Sequence, residues 1–314
     1  MKIVFLGSGD VAREVFGALV EAGHSPSLVV TQPPRRRRRR GGEEPTPVHA
    51  WAAGTSLEVL APERVNDVDV LDRLRAVAAD LFVVAEYGQI LSQSLLDIPP
   101  QGAINLHTSL LPRHRGAAPV AAAILAGDTE TGVTVQRVVK ELDAGPILAS
   151  RTIEIRDDDD TGSLTARIAH LARDVLVEVV EAFAAKKPPE ESAQDHSLAT
   201  CVKRFKAEDR DLDFGLRARD LWRRVRALAP KPGARTALLR DEPVALGVRR
   251  AAPVEGTAPP GEVVRVSGDA LRVGTGGGLL DLVEVLPAGR RPMSGAAFWN
   301  GFHVASGERL GRPS

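Results

Sequence analysis

The chain has 314 residues, of which 43% are hydrophobic and 26% charged, a composition typical of an ordinary soluble globular protein long enough for two domains. No run approaches the roughly 20 apolar residues that a membrane span needs, and the N-terminus lacks the apolar segment of a signal peptide, so we expect a cytoplasmic location. Cys201 is the single cysteine, which excludes an intrachain disulfide and a cysteine-based metal cluster.

The formal net charge of zero conceals a difference between two parts of the chain. Residues 203–314 contain 20 Lys and Arg against 13 Asp and Glu, while residues 1–202 contain 21 against 28. The positive surplus in the C-terminal part indicates contact with a polyanion there. A solvated basic surface without any partner is an equally good interpretation of a surplus of this size.

Buried strands alternate with amphipathic helices through the N-terminal part, and this alternation predicts an α/β fold with a doubly wound, mostly parallel, Rossmann-like sheet. Strands are expected at residues 2–7, 27–31, 57–60, 81–85, 103–108, 132–139 and 151–155. Helices are expected at residues 11–22, 48–53, 68–79, 117–127 and 161–185. We expect Thr161 to cap the last of these helices and Asp157–Asp160 to form a solvated turn.

The first strand leads into a glycine-rich turn, Gly7-Ser-Gly9-Asp-Val-Ala12, which has the spacing of a dinucleotide-binding fingerprint. The next strand should then contain an acidic residue for the ribose, but it ends in Thr31 and Gln32. We therefore interpret the glycines as a turn at the carboxyl edge of the sheet, where ligands of open α/β sheets bind.

A loop at residues 33–47 contains six consecutive arginines, Arg35–Arg40, between prolines. Like charges repel one another, so this run is not expected to be structured alone. Two interpretations stay open. The loop is either a disordered basic segment without a specific role or a flexible cation cluster that binds phosphates.

The most informative segment begins at Ala103 and ends at Pro112. Asn105 and His107 alternate with apolar residues at a period of two, which in a strand places both polar side chains on one face. Ser109–Pro112 end the strand, because proline cannot continue a ladder. Amide and imidazole donors side by side could stabilise a developing oxyanion, whereas the alternative is a strand whose outer face is merely polar.

This segment resembles the core of the folate-dependent formyltransferases, in which Asn-x-His-x-Ser-Leu-Leu-Pro is followed by an Asp in a Leu-Asp-x-Gly loop. Here that loop is Leu142-Asp143-Ala-Gly145, and Arg115–Pro119 and Gly127–Val133 match as well. The resemblance covers nearly the whole chain. It implies 10-formyltetrahydrofolate as the donor, an amine as the acceptor and no metal. The similarity is greatest to the branch whose acceptor is initiator methionyl-tRNA, for the initiation of protein synthesis.

The resemblance also implies roles for individual residues. Asn105 would donate to the formyl oxygen, His107 would supply a second donor or move a proton, and Asp143 would orient His107 or a water. No covalent nucleophile is evident, so direct attack by the amine is expected. The implied folate-binding residues are Tyr87, Gly88, Gln89 and Ile90, which line the pterin pocket through main-chain groups, together with Ser109, Leu110, Leu111, Pro112 and Leu142.

A segment rich in proline and charge at residues 187–205 predicts a linker between a formyltransferase domain at 1–186 and a C-terminal domain at 206–314. Glycines and prolines there separate five short strands, which predicts a small OB-like β-barrel. The strands are expected at residues 236–240, 244–252, 261–266, 270–274 and 279–286.

The resemblance further implies a tRNA contact in two places, the basic loop and the start of the C-terminal part. The implied tRNA-binding residues are Arg35, Arg36, Arg37, Arg38, Arg39, Arg40, Lys203, Arg204 and Lys206. Lysines that the family usually has in the loop are replaced by Gly41 and Gly42. We expect a monomer without membrane contact.

Other functions stay open. A sugar-nucleotide N-formyltransferase can share the catalytic domain and the barrel, although the basic loop and the C-terminal charge favour tRNA. A glycinamide ribonucleotide enzyme would normally lack the barrel. A catalytically silent RNA-binding module could use the barrel and the basic loop, but the presence of all three candidate catalytic residues argues against it.

Overall fold

A computed structural model describes residues 1–36 and 42–312. It contains two compact units, the first made of residues 1–119, 130–154 and 165–202. The second is made of residues 120–129, 155–164 and everything from Lys203 onward. Within the described residues, no helix is long and apolar enough to cross a membrane.

The first unit is built around one sheet. The strands of this part of the chain are β1 (Ile3–Gly7), β2 (Leu28–Val30), β3 (Arg35–Arg36), β4 (Glu43–Glu44), β5 (Val59–Leu60), β6 (Leu81–Ala85), β7 (Ala103–His107), β8 (Arg115–Gly116), β9 (Glu130–Arg137), β10 (Ile147–Glu154) and β11 (Cys201–Val202). The helices up to residue 184 are α1 (Asp10–Glu21), α2 (Pro47–Ala52), α3 (Val68–Val77), α4 (Gln93–Leu96), α5 (Pro119–Ala126) and α6 (Thr161–Ala184). Nearly all of α5 and the first residues of α6 belong to the second unit.

Seven of these strands form the sheet in the order β10-β9-β7-β6-β1-β2-β5. The strands from β7 to β5 are parallel, whereas β9 and β10 are antiparallel at one edge. Every residue of β1 and β6 is buried, which explains why these strands are continuous apolar runs rather than alternating ones. The prediction of a mostly parallel α/β sheet is confirmed.

Helix α6 begins differently from the expectation. Asp160 caps it, since its Oδ1 accepts from the backbone N–H of Ser163 at 2.8 Å, and the Thr161 hydroxyl donates instead to the carbonyl of Ala227 at 2.7 Å. Asp159 is buried and accepts from the backbone N–H of Arg156 at 2.9 Å. The expectation of a Thr161 cap is therefore wrong. The expected solvated turn is confirmed for Asp157 and Asp158, which are exposed, but not for the buried Asp159.

The second unit is a closed barrel of antiparallel strands. Its strands are β12 (Ala234–Leu239), β13 (Val244–Val254), β14 (Val263–Ser267), β15 (Ala270–Gly274), β16 (Leu279–Pro287), β17 (Met293–Ser294) and β18 (Arg309–Gly311), and its helices are α7 (Ala218–Leu228) and α8 (Gly295–Gly301). The order is β14-β15-β16-β13-β12-β18, and a bridge between Glu262 and Arg309 joins the two ends. Closure removes both edges, so the predicted barrel is confirmed. The short strands β17 and β18 are additional.

The glycine turn after β1 is closed by a carboxylate of the same chain. Glu86 follows β6, and its Oε2 accepts from the backbone N–H groups of Val11 at 3.0 Å and Ala12 at 3.2 Å, in the first turn of α1. A dinucleotide phosphate would bind these amides, and a side chain at Gly9 would collide with the Glu86 carboxylate. Although Glu86 as a whole residue is exposed, desolvation of its carboxyl group raises the pKa, and the two N–H donors oppose that shift. This geometry supports a turn rather than a dinucleotide site.

Replacement of Glu86 by Ala should lower the free energy of unfolding by about 1 kcal/mol, because the first amides of α1 lose their acceptor. Sulfate should restore part of that stability in the variant by binding the vacated amides, and should do less for the unsubstituted protein. Chemical denaturation with sodium sulfate, and with sodium chloride at equal ionic strength, measures both effects. Glu63→Ala serves as the exposed-carboxylate control, and equal sulfate responses of all three proteins would contradict the assignment.

Candidate active site

The polar end of β7 lies between two different neighbours. β7 pairs in parallel with β6 and antiparallel with β9, and Asn105 lies opposite Gln136 of β9. Alternation along the strand places Asn105 and His107 on the same face, where Asn105 is half-buried and His107 is buried. The carboxyl end of β7 therefore presents an amide and an imidazole together.

Asp143 reaches these two side chains from the loop between β9 and β10. Its backbone has a φ of 49°, in the left-handed region that few residues other than glycine adopt. Its Oδ1 lies 3.5 Å from Asn105 Nδ2, and its Oδ2 lies 3.7 Å from His107 Nδ1. The three residues predicted as catalytic thus meet at one point.

Two further groups hold the Asp143 carboxylate. The backbone N–H of Gly116 donates to Oδ2 at 2.8 Å, and Gln136 Nε2 donates to Oδ1 at 3.2 Å. Sequence patterns do not single out Gln136, because its strand also contains Glu, Thr and Arg, and its position opposite Asn105 becomes visible only in the structure. The carboxylate is therefore fixed at both oxygens before any substrate binds.

Both ring nitrogens of His107 face hydrogen-bond acceptors. Nε2 lies 2.9 Å from the carbonyl oxygen of His114, which can only accept, so Nε2 carries a hydrogen. In the neutral ring Nδ1 then has a free lone pair, and its 3.7 Å separation from Asp143 is too long for a direct hydrogen bond. A proton taken up at Nδ1 would lie beside a carboxylate.

The turn after β7 is held by its own polar groups. The Ser109 hydroxyl donates to the carbonyl of Arg113 at 2.7 Å, and Thr134 Oγ1 donates to the carbonyl of Ser109 at 2.7 Å while accepting from the Leu111 N–H at 3.1 Å. Ser109 is fully buried. Its side chain therefore shapes the turn, although the sequence predicted a folate contact there.

Four other predicted folate-binding residues differ in how far their side chains are exposed. Tyr87 is buried, and burial raises the pKa of its phenol, whose oxygen has no hydrogen-bond partner among the described residues. Gln89 uses its amide on a neighbouring loop, accepting from the Val65 N–H at 2.8 Å. Ile90 and Leu142, by contrast, are 87% and 68% exposed and offer apolar surface.

The predicted tRNA-binding residues lie in both units. The backbones of Arg35 and Arg36 pair with those of Glu44 and Glu43 as two short antiparallel strands. Arg37, Arg38, Arg39 and Arg40 lie outside the described residues. In the second unit Lys203, Arg204 and Lys206 are exposed around a cavity of about 300 Å³. The rest of its lining is Leu125, Phe205, Glu208, Asp209 and Arg224. No cluster of three or more His, Cys, Asp or Glu suited to a metal occurs in residues 1–36 and 42–312.

Comparison with known proteins identifies the family of both parts of the chain. A family model described as "Formyl transferase" matches residues 1–180, and one described as "Formyl transferase, C-terminal domain" matches residues 204–303. The chain is 44% identical to "Methionyl-tRNA formyltransferase" of Chloroflexus aggregans over 97% of this chain and 98% of that relative.

Two solved structures share the fold at low identity. HypX of Aquifex aeolicus, crystallised with tetrahydrofolic acid, has a TM-score of 0.65 and 19% identity over 98% of this chain, which spans 48% of HypX. WlaRD, a sugar 3N-formyl transferase, has a TM-score of 0.65 and 13% identity over 93% of this chain and 99% of WlaRD. The two family models and the near full-length relative at 44% identity show that the chain belongs to the formyl transferase family and carries both its N-terminal and its C-terminal domain.

Proposed function

We propose that the protein transfers the formyl group of 10-formyltetrahydrofolate to the α-amino group of methionyl-initiator tRNA. The convergence of Asn105, His107 and Asp143 at the end of β7 carries this proposal, since it supplies an oxyanion donor beside a proton acceptor. Identities of 44% and 43% over nearly the full length to relatives named methionyl-tRNA formyltransferase support this acceptor.

Attack of the amine on the formyl carbon creates a tetrahedral oxyanion. Asn105 can donate one amide hydrogen to that oxygen, because its contact with Asp143 Oδ1 is long at 3.5 Å and uses at most the other hydrogen. As the new N–C bond forms, the attacking nitrogen becomes positive and must lose a proton. The bond between carbon and N10 of the folate then breaks, and N10 must gain one.

His107 is placed to carry that proton. Its Nδ1 lone pair accepts the proton from the amine, while Nε2 stays bonded to the His114 carbonyl. The resulting imidazolium lies 3.7 Å from Asp143 Oδ2, which stabilises the charge without taking the proton. Returning the proton to N10 completes the transfer without a covalent enzyme intermediate.

The substrates would be held by surfaces of opposite character. The pterin is a flat ring with apolar faces and hydrogen-bonding groups at its edge, which fits the exposed side chains of Ile90 and Leu142 and the main-chain groups of the turn at Ser109–Pro112. The tRNA phosphates fit the Arg35–Arg40 loop and the basic residues around the cavity of the second unit. We assign catalysis to the domain predicted at residues 1–186, and tRNA binding chiefly to the domain predicted at 206–314 together with Lys203 and Arg204 of the segment 187–205, in a cytoplasmic monomer.

A sugar-nucleotide acceptor is the second candidate, because WlaRD shares the fold. That similarity is at 13% identity and concerns the fold alone, whereas relatives with the tRNA activity in their name are about three times as similar in sequence. The exposed arginine and lysine side chains also suit a polyanionic acceptor better than a single sugar nucleotide.

Replacement of Asn105 by Ala should lower kcat for formylation of methionyl-tRNA on the order of a hundredfold or more, because the oxyanion loses a donor. The KM values should change little, since the donor acts mainly in the transition state. Steady-state kinetics with both substrates tests this, with the exposed Asn300 replaced by Ala as the matched control. Asn105→Ala turning over at the unsubstituted rate would refute the assigned role.

Replacement of Lys203, Arg204 and Lys206 by Gln should weaken tRNA binding and make the plot of log affinity against log salt shallower, by up to about three in slope. Titrations of tRNA binding at salt concentrations from about 50 to about 200 mM measure the slope. A triple variant of Arg73, Arg75 and Arg151 to Gln removes the same charge elsewhere as a control. An unchanged slope in the Lys203 variant would remove these residues from the tRNA site.

A further inference from the structure

Residues 192–202 form a strap that runs along the active-site loops of the first unit. At one end, Ser192 pairs with Ile147 through backbone hydrogen bonds of 2.9 and 2.7 Å. At the other end, β11 pairs in parallel with β8, beside Gly116. The strap thus follows the segment that carries Gly116 and the strand that follows Asp143, although its composition predicted only a linker.

Gln194 is the buried polar residue of the strap, and its amide nitrogen faces the Asp143 loop. Nε2 lies 2.9 Å from the carbonyl oxygen of Asp143 and 2.7 Å from that of Gly145. It also lies 3.0 Å from the side-chain oxygen of Gln136. One amide therefore contacts the backbone on both sides of Ala144 and the glutamine that holds the Asp143 carboxylate.

Arg115 fixes which way this amide points. Its Nη2 donates to Gln194 Oε1 at 2.6 Å, and a guanidinium has only donors. The amide oxygen of Gln194 must face Arg115, so the amide nitrogen must face the two carbonyls. The opposite orientation would place oxygen against oxygen at the loop and nitrogen against nitrogen at Arg115.

The orientation of Gln194 also determines how Gln136 faces the Asp143 carboxylate. Because Gln194 donates to Gln136 Oε1, the nitrogen of Gln136 must point the other way, towards Asp143 Oδ1 at 3.2 Å. The direction of each hydrogen bond is therefore fixed one after another, from Arg115 through Gln194 and Gln136 to Asp143. At each step only one orientation sets donors against acceptors, and the two hydrogens of Gln194 Nε2 are shared among three oxygens.

The loop needs this support because of its backbone. Asp143 has a φ of 49°, a conformation that L residues rarely keep unless surrounding contacts hold it. Gln194 binds the carbonyl of Asp143 itself and that of Gly145 two residues later. Without these bonds the loop could relax and turn the carboxylate away from His107 and Asn105.

We infer that Gln194 is a positioning residue for formyl transfer, which holds Asp143 in its left-handed conformation and sets the orientation of Gln136. Gln194 touches no reacting atom. Its assigned role rests on the proposed function only in that Asp143 takes part in catalysis. Nothing in the linker-like composition of residues 187–205 points to this role.

The inference is tested with Gln194→Met, which keeps the side-chain length but removes both donor and acceptor. We expect kcat to fall about tenfold to a hundredfold through misplacement of Asp143, with the KM values for folate and tRNA within about twofold. Gln194→Glu should be at least as impaired, since it keeps an oxygen for Arg115 but sets another against the two carbonyls. Asp195→Ala, an exposed neighbour in the strap, should leave kcat unchanged.

A double-mutant cycle separates positioning from general structural support. In an Asp143→Asn background, Gln194→Met should cost less than about twofold further in the single-turnover rate, because the carboxylate to be positioned is gone. Losses that multiply would overturn the inference. So would a kcat for Gln194→Met equal to that of the unsubstituted protein.

A crystal structure of Gln194→Met provides a readout that does not depend on turnover. We expect an intact fold with the Asp143 carboxylate moved away from His107, and an unmoved carboxylate would contradict the inference. If the unsubstituted protein forms no formyl-methionyl-tRNA, the proposed function fails, whereas a displaced Asp143 would still support the positioning role of Gln194.

Discussion

The left-handed backbone of Asp143 is the constraint on which the active site depends. At a φ of 49° the loop directs its carboxylate towards both Asn105 and His107, which a relaxed loop would not do. Such a conformation persists only where neighbouring groups hold it. Here the Gly116 N–H and Gln136 hold the carboxylate, and Gln194 binds the carbonyl. Preorganisation of this kind means that little rearrangement is needed when charge develops during the reaction.

The carboxyl edge of the parallel sheet is divided between two uses. After β1, where many proteins of this architecture bind phosphates, Glu86 takes the first amides of α1 for itself. After β7, the polar side chains stay available, and their mutual contacts are long at 3.5 and 3.7 Å. The first position is therefore closed by an internal acceptor, while the second keeps donors and a lone pair for a substrate. Of these two positions, the one after β7 keeps polar groups available, and we therefore propose it as the substrate site.

Sequence patterns predicted the fold class and the three residues that meet at the site, but not the groups that hold them. Period two at Asn105 and His107 is local information, and Asp143 came from a motif. Gln136 lies only 7 residues from Asp143, but no motif marks it. Gln194 acts through contacts with residues 49 to 79 positions away in the chain, which no spacing rule detects. The Thr161 expectation failed for a similar reason, because a distant carbonyl took the hydroxyl that would have capped α6. Strands β17 and β18, of two and three residues, are too short to show alternation.

We propose that this site transfers a formyl group to the amine of methionyl-tRNA. The most direct measurement offers the purified protein 10-formyltetrahydrofolate and two acceptors in competition, initiator methionyl-tRNA and a 4-amino-sugar nucleotide, and identifies the products. We predict formyl-methionyl-tRNA with no formylated sugar. Formylation of the sugar alone would contradict the assigned acceptor, and tRNA that binds without being formylated would contradict the catalytic role of the site.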